Sequence, residues 1–408
     1  MTRIYQEQDV LRLARRWNNA KRSYLLVDPL QAKHVPVAPQ EALAMMQALG
    51  ELLRQEAPDA SLIIGFAETA TAISGAAAFC FGADTRYVQT TRENCGSFRM
   101  LQFREEHSHA VTQQIAYDPL TGEHRQIIMI DDEISTGRTI ENIIAVLRED
   151  FPALHNTEFV IGSILNRLSD ERRQVLAAQN IRFVSLVPVE DRDFEGMVSD
   201  MTVTPPVPAQ PIDADYAEYT AQHKLPAFRT GTTAGAMQHA LAQFTEECGQ
   251  HLLSELPAQG KILLLGTEEC MLPAITVGQY LTQERPGLSV FTHATTRSPI
   301  GICQAEGYPC PSGVQLHSFF EAERVTYLYN IRDYDAVVVV TDSPDDAQCR
   351  LAMQTLAGAF LQHCNKESTD PDPYMGCGAK PHEKTVSCPR STALPNDPVL
   401  PEFYLIRG

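Results

Sequence analysis

Short apolar runs punctuate this chain at intervals that suit strands alternating with helices. Tyr24–Val27, Ser61–Ile64, Ile127–Ile130, Phe159–Leu165 and Ile181–Val189 read as strands, with Arg86–Arg92 a more polar one. Between them the spacing becomes helical. Leu11–Trp17 predicts a short helix, Gln40–Gln55 a longer one, and the Ala-rich stretch through Phe79 and Ile140–Leu147 two more. Such alternation predicts an α/β unit on a mostly parallel sheet. Pro205, Pro206, Pro208 and Pro211 then predict an extended linker. Beyond it, strands resume at Lys261–Leu265 and Ala336–Val340, the second leading to a helix over Ala347–Phe360. A chain of 408 residues is long for one core, so two domains are expected.

The most informative stretch runs from Ile127 to Thr139. Four apolar residues lead to Asp131 and Asp132, then Ser135-Thr136-Gly137-Arg138-Thr139 opens a helix. Open α/β sheets place ligands at such strand ends. A hydroxyl- and Gly-rich turn entering a helix offers backbone N–H groups and a positive dipole end, which suits a phosphate. The acids suit a diol or a hydrated Mg²⁺. Diol beside phosphate points to a ribose 5-phosphate. The plainer alternative is an ordinary strand–acid–helix edge.

At these residues the chain resembles the type I phosphoribosyltransferases. The resemblance implies an N-terminal Rossmann-like domain over residues 1–200, using phosphoribosyl pyrophosphate (PRPP) with Mg²⁺. It implies that Asp131 and Asp132 contact the ribose hydroxyls, directly or through the metal, and that Ser135, Thr136, Gly137, Arg138 and Thr139 hold the 5-phosphate. By topology, the loop after Ser61–Ile64 would hold pyrophosphate through Glu68, Thr69, Ala70 and Thr71, with Arg92 beyond the next strand. The segment from Glu93 to Tyr117 stands where the family keeps a closing loop. His107 and His109 in it would assist pyrophosphate departure or bind metal, or else be ordinary surface histidines. Lys33 and His34 either line the acceptor pocket or lie on a solvated loop.

The second half repeats features of the first. Gly266 with Glu269 echoes Gly65 with Glu68, and Thr295-Thr296-Arg297 echoes Thr90-Thr91-Arg92. The run Thr341-Asp342-Ser343-Pro344 occupies the place of the acid pair, but Pro344 has no N–H for a phosphate. A second, degenerate phosphoribosyltransferase-like α/β domain is therefore expected. Thr296-Arg297-Ser298-Pro299 resembles the motif that names the TRSP domain, which follows a phosphoribosyltransferase-like domain in tellurite-resistance-associated proteins. Arg297 and Ser298 are candidates for gripping a carboxylate or phosphate in an acceptor or second-domain site; a structural turn is the alternative. Arg229–Thr233 is a weaker anion-loop candidate. The expected boundaries are a Pro-rich linker at 201–225, the TRSP domain at 226–363 and an irregular tail at 364–408. Cys377, His382 and Cys388 in that tail fit no common zinc spacing.

Charge and composition narrow the partners. A net charge of −18 disfavours nucleic acid and anionic membrane surfaces, without excluding a local basic site. No apolar stretch is long enough to span a bilayer, and the ten cysteines form no Cys-x-x-Cys pair. A cytoplasmic enzyme is expected, with a homodimer left open. It would transfer phosphoribose from PRPP to an unknown base-like small-molecule acceptor, releasing pyrophosphate, in a tellurite-resistance-associated pathway. The rivals are a PRPP-sensing binding protein and a PRPP-synthetase-like diphosphoryl transferase.

Overall fold

Residues 3–19, 22–103, 113–367 and 400–408 are described in a computed structural model of the chain. His107, His109, Cys377, His382 and Cys388 lie outside the described residues.

The N-terminal segment departs from the expected helix over Leu11–Trp17. After one helical turn, α1 (Glu7–Val10), the chain enters β1 (Arg12–Arg15), antiparallel to β2 (Tyr24–Val27). Ala14 and Val27 are both buried in a cluster with Ile300 and Tyr308 of the second half. Pairing with an apolar neighbour strand and burial against distant residues override the helix-like local spacing.

The first sheet follows from the apolar runs. In chain order come α2 (Pro39–Glu56), β3 (Ala60–Gly65), α3 (Thr71–Ala78), β4 (Arg86–Gln89), the hairpin β5 (Met100–Phe103) and β6 (Gln113–Ala116), β7 (Gln126–Ile134), α4 (Arg138–Asp150), β8 (Glu158–Asn166), α5 (Asp170–Ala177), β9 (Ile181–Pro188) and α6 (Phe194–Ser199). Strands β4-β3-β7-β8-β9 are parallel in that order. The middle strand, β7, is buried on both faces from Gln126 to Ile130, as its unbroken apolar run requires.

The second half comprises β10 (Val207–Pro208), β11 (Ala217–Thr220), β12 (Thr232–Thr233), α7 (Ala234–Glu255), β13 (Gly260–Gly266), α8 (Leu272–Glu284), β14 (Leu288–Ala294), the hairpin β15 (Gly313–His317) and β16 (Val325–Tyr329), β17 (Ala336–Thr341), α9 (Asp346–Glu367) and β18 (Glu402–Arg407). Its sheet is parallel with order β11-β18-β17-β13-β14. Numbering core strands within each half, both sheets run second–first–third–fourth, and both carry a hairpin between the second and third strands.

Two expected boundaries give way. The Pro-rich 201–225 stretch contributes β10, which pairs with β15, and β11, which edges the second sheet. The tail is irregular in expectation, yet its end supplies β18, an inner strand between β11 and β17. The apolar run Phe403–Ile406 was the available signal. Also, β12 pairs with β4 and extends the first sheet, so the halves exchange backbone. One apolar core spans both, joining α2 and α3 to α7 and α8. A Cβ on Gly75 would lie 2.6 Å from Leu272 Cδ2, so a larger residue there would require the Leu272 side chain to shift.

Phe403, Tyr404, Leu405 and Ile406 are all buried. At roughly 1.5–3 kcal/mol per buried large apolar side chain, β18 contributes about 6–12 kcal/mol, comparable to a whole domain's stability. Deleting residues 401–408 is expected to abolish cooperative unfolding of the second half; an unchanged thermal transition by circular dichroism would contradict this inner-strand role.

Candidate active site

Strand β7 runs further than its apolar residues, carrying Asp131, Asp132 and Glu133 within its last turn of pleat. The Asp131 carboxylate accepts from the Asp132 N–H at 2.9 Å. The Asp132 carboxylate accepts from the Glu133 N–H and from the Thr69 hydroxyl, each at 3.0 Å. Thr69 belongs to the loop after β3, so one acid already links the ribose and pyrophosphate candidates. Burial, then the neighbouring charge of Asp132, raises the Asp131 carboxyl well above its ordinary value. A cation or a hydrogen-bonding diol would relieve that repulsion.

Gly137 turns the chain into α4 with φ +69°, a conformation that favours Gly. It is the N-cap residue and supplies no side-chain cap, while Thr136 and Thr139 are exposed beside it. The Arg138 N–H reaches only the Thr136 hydroxyl, at 3.4 Å. The first turn of this 13-residue helix thus has backbone amides without a side-chain cap at its N-terminus.

Above the acids lies a cationic and aromatic group that the sequence reading passed over. Arg22 grips both oxygens of Glu133, at 2.7 and 2.6 Å, and Arg167 approaches the same carboxylate at 3.4 Å while donating to the Tyr24 hydroxyl at 2.5 Å. Burial, and then the charge of Arg22, lowers the Arg16 guanidinium, while Glu133 and Asp132 act in the opposite sense. Arg16 therefore lies within electrostatic reach of the acids. Arg16 and Trp17 line a cavity of about 650 Å³ with Asn18, Ser23, Asp200 and Thr202. The buried Arg16 Nε and Trp17 Nε1 atoms have no hydrogen-bond partner. Asp28, at the end of β2, is also buried; its Oδ1 accepts from the Leu30 N–H at 2.8 Å and its Oδ2 has no hydrogen-bond partner. Burial raises its carboxyl to about 8, with Asp132 adding to the shift and Arg12 opposing it.

The loop after β3 is held from two sides. Burial opposes ionisation of Glu68, but Lys33 and Arg297 outweigh it and hold the carboxyl at about 2. Its Oε1 accepts from the Arg297 backbone N–H at 3.1 Å, and Oε2 lies 3.2 Å from the guanidinium. Thr71 starts α3 with its hydroxyl on the Glu68 carbonyl at 3.2 Å. Beyond β4, the Arg92 N–H donates to Glu269 at 3.0 Å.

Three expectations need correction. Lys33 and His34 are not on a solvated loop: both are buried, with Lys33 ion-paired to Glu68 and His34 kept neutral, its imidazole lowered to about 3 by burial and by Lys33. They lie at the junction of the halves, and neither lines the Arg16–Trp17 cavity. Arg297 grips carboxylates of its own chain, Glu68, Glu93 and Glu268. Ser298 is folded into the same turn, its N–H on the Thr296 hydroxyl at 3.1 Å. Arg229 is likewise committed, to Glu269 and Asp342. Among the described residues no group of three or more His, Cys, Asp or Glu forms a metal cage, and no helix is long and apolar enough to cross a membrane.

Residues 10–189 match the family described as phosphoribosyl transferase, and residues 228–357 match the TRSP domain that stands C-terminal to it. Similar solved structures include the APRTase from Giardia lamblia complexed with 9-deazaadenine, at 15% identity over 44% of this chain and 94% of that one, with a TM-score of 0.34. Orotate phosphoribosyltransferase from Aeropyrum pernix shares 19% identity over 39% and 75%, with a TM-score of 0.26. Adenine phosphoribosyltransferase from Leishmania tarentolae shares 15% over 45% and 85%, with a TM-score of 0.32. No curated protein matches the chain. The two matches follow one another along the sequence, and the chain belongs to the phosphoribosyl transferase family that is followed by a TRSP domain.

Proposed function

We propose that this phosphoribosyltransferase binds PRPP at the end of β7 and passes its phosphoribosyl group to a planar, nitrogen-bearing acceptor, releasing pyrophosphate. The observation that carries the reading is the acid pair Asp131–Asp132, placed directly before the uncapped amides of α4. The amides from Ser135 to Thr139 would hold the 5-phosphate, and Asp131 and Asp132 the ribose hydroxyls. Pyrophosphate would leave along the Glu68–Thr71 loop toward Arg92. Both anchors lie on elements of one rigid sheet, so positioning supplies much of the catalysis.

The half-buried, mutually repelling acids fit Mg²⁺ carried in with PRPP better than a metal caged by protein ligands alone. Asp131 and Asp132 would hold it, directly or through water, and it would stabilise charge developing on pyrophosphate. The Arg16–Trp17 cavity supports a planar acceptor that stacks on the Trp17 indole. The setting is a cytoplasmic, tellurite-resistance-associated pathway. The PRPP-synthetase-like reading gains no support, because Asp342 and Glu269 are occupied by Arg229.

Asp132→Asn keeps the Thr69 contact but loses its charge. Turnover with PRPP, Mg²⁺ and an accepted base is expected to fall at least about 100-fold, with the circular dichroism spectrum unchanged; full activity would remove the acid pair from the mechanism. Trp17 is the only tryptophan in the chain. Its fluorescence is expected to be quenched by acceptors that support pyrophosphate release, and an accepted base that leaves emission untouched would move the acceptor site elsewhere.

Asp28 gives a pH test. Because its folded value lies above its unfolded one, its contribution to stability is present below about pH 4 and is lost as pH rises toward 8. Relative to Asp28→Asn, the wild type should lose roughly 1.4 kcal/mol per pH unit in that window. Denaturant midpoints of both proteins at pH 5 and pH 8 measure this; a constant difference would contradict it.

A further inference from the structure

The two strand-end turns match atom for atom. In the first half the Ala67 N–H donates to the Thr90 hydroxyl at 2.8 Å, the Thr90 N–H to the Gly65 carbonyl at 2.8 Å, and the Glu93 N–H to the Thr91 hydroxyl at 2.9 Å. In the second, the Glu268 N–H donates to the Thr295 hydroxyl at 3.0 Å, the Thr295 N–H to the Gly266 carbonyl at 3.0 Å, and the Ser298 N–H to the Thr296 hydroxyl at 3.1 Å. The hairpins dock alike, Thr91 bridging to Gln114 and Thr296 to Tyr327.

The matched turns also exchange carboxylates. Glu269 of the second half accepts from the Arg92 N–H at 3.0 Å and the Thr91 hydroxyl at 2.6 Å. Glu68 of the first half accepts from the Arg297 N–H at 3.1 Å. Each loop therefore holds the other half's arginine turn. Side chains close the second half's own strand ends: Arg229 spans Glu269 and Asp342, and Asp345 caps the start of α9 by accepting from the Ala347 and Gln348 N–H groups at 2.9 and 3.0 Å. Where the first half presents open amides, the second presents a carboxylate of its own.

We propose that the TRSP domain is a fixed part of the transferase site: Arg297 and Glu269 are positioning residues that set the Glu68–Thr71 loop and the Thr91–Arg92 turn for pyrophosphate. This rests on the PRPP reading given above. Glu68 is an acid in a loop assigned to an anion, and an unpaired carboxylate there would repel pyrophosphate. Arg297 and Lys33 neutralise it and draw it toward the domain junction, leaving the Thr69 and Thr71 N–H groups for the leaving group, the Ala70 N–H being held by the Phe66 carbonyl at 3.0 Å. Glu269 takes the Arg92 backbone N–H and the Thr91 hydroxyl, which fixes the direction from which the Arg92 side chain departs. A charged pair is used on each side because the junction is buried, where a bond to an ionised partner resists displacement more than a neutral one.

The test separates the two ends of PRPP by using pyrophosphate and ribose 5-phosphate, each with Mg²⁺, as calorimetric probes of the full chain. Arg297→Lys keeps the positive charge but loses the planar fork, and Thr91→Val exchanges a hydroxyl for a methyl of similar size, removing the bonds to Glu269 and from the Glu93 N–H, so a second variant is available should the first disturb the junction. Both are expected to weaken pyrophosphate binding, by about tenfold for Arg297→Lys and by severalfold for Thr91→Val. Ribose 5-phosphate affinity should stay within about twofold. If the wild type binds both probes and the folded variants lose neither, or lose both equally, the positioning role is overturned while the PRPP site stands. If the wild type binds neither probe, the PRPP reading itself fails and the inference falls with it.

Discussion

The structure depends on a buried exchange of charge between its halves. Glu68, Glu93, Glu268 and Glu269 meet Lys33, Arg297, Arg324 and Arg229 where the two parallel sheets end. Gathering these groups away from water is costly, and it holds only because nearly every charge has an opposite within reach. Removing one partner would strand another, at a cost of about 3–5 kcal/mol. The halves are thus committed to one arrangement, and a hydrophobic weld between α2, α3, α7 and α8 runs behind the charges. The shifts follow from the same balance. Burial pushes Glu93 and Glu269 alike upward; at Glu93 the charge of Glu269 adds to it and outweighs Arg297 and Arg324, while at Glu269 the charges of Arg229 and Arg297 and the hydrogen bonds from Thr91 and Arg92 win.

This arrangement gives the repeated half a purpose that its own strand ends do not. The two halves share strand order and strand-end turns. Here one retains an acid pair and open amides, while the other has Pro344, an internal Asp345 cap and an arginine across its acid. In the site proposed above, the second half supplies rigidity to a loop of the first. Loops that carry function gain precision when rigid elements brace them, and the Thr295-Thr296 turn that carries Arg297 is tied to Gly266 at the end of β13 and to Tyr327 in β16.

Much of this was legible in the sequence, for identifiable reasons. Apolar runs made the inner strands β3, β7 and β8 legible because their apolar stretches are buried on both faces. The Gly137 turn was legible because that backbone angle leaves little choice of residue. The paired Gly-x-x-Glu and Thr-Thr-Arg motifs revealed the equivalent turns of the two halves. What escaped depends on contacts far apart in sequence. The β1 strand looked helical because its partner lies beyond a loop, and β18 was hidden by the polar stretch before it. Lys33 and Arg297 are 264 positions apart yet share Glu68, and no local pattern reports that. Arg16 and Trp17 gained meaning only once β1 and β2 folded over the acids.

The most direct measurement is a calorimetric titration with PRPP, with and without Mg²⁺, on the wild type and on the folded Asp131→Asn/Asp132→Asn double variant. The account predicts binding that Mg²⁺ strengthens and that the variant loses. Folded wild-type protein that takes up no PRPP, or a variant that binds it as tightly, would contradict the assignment of the β7 strand end as the ribose-phosphate site.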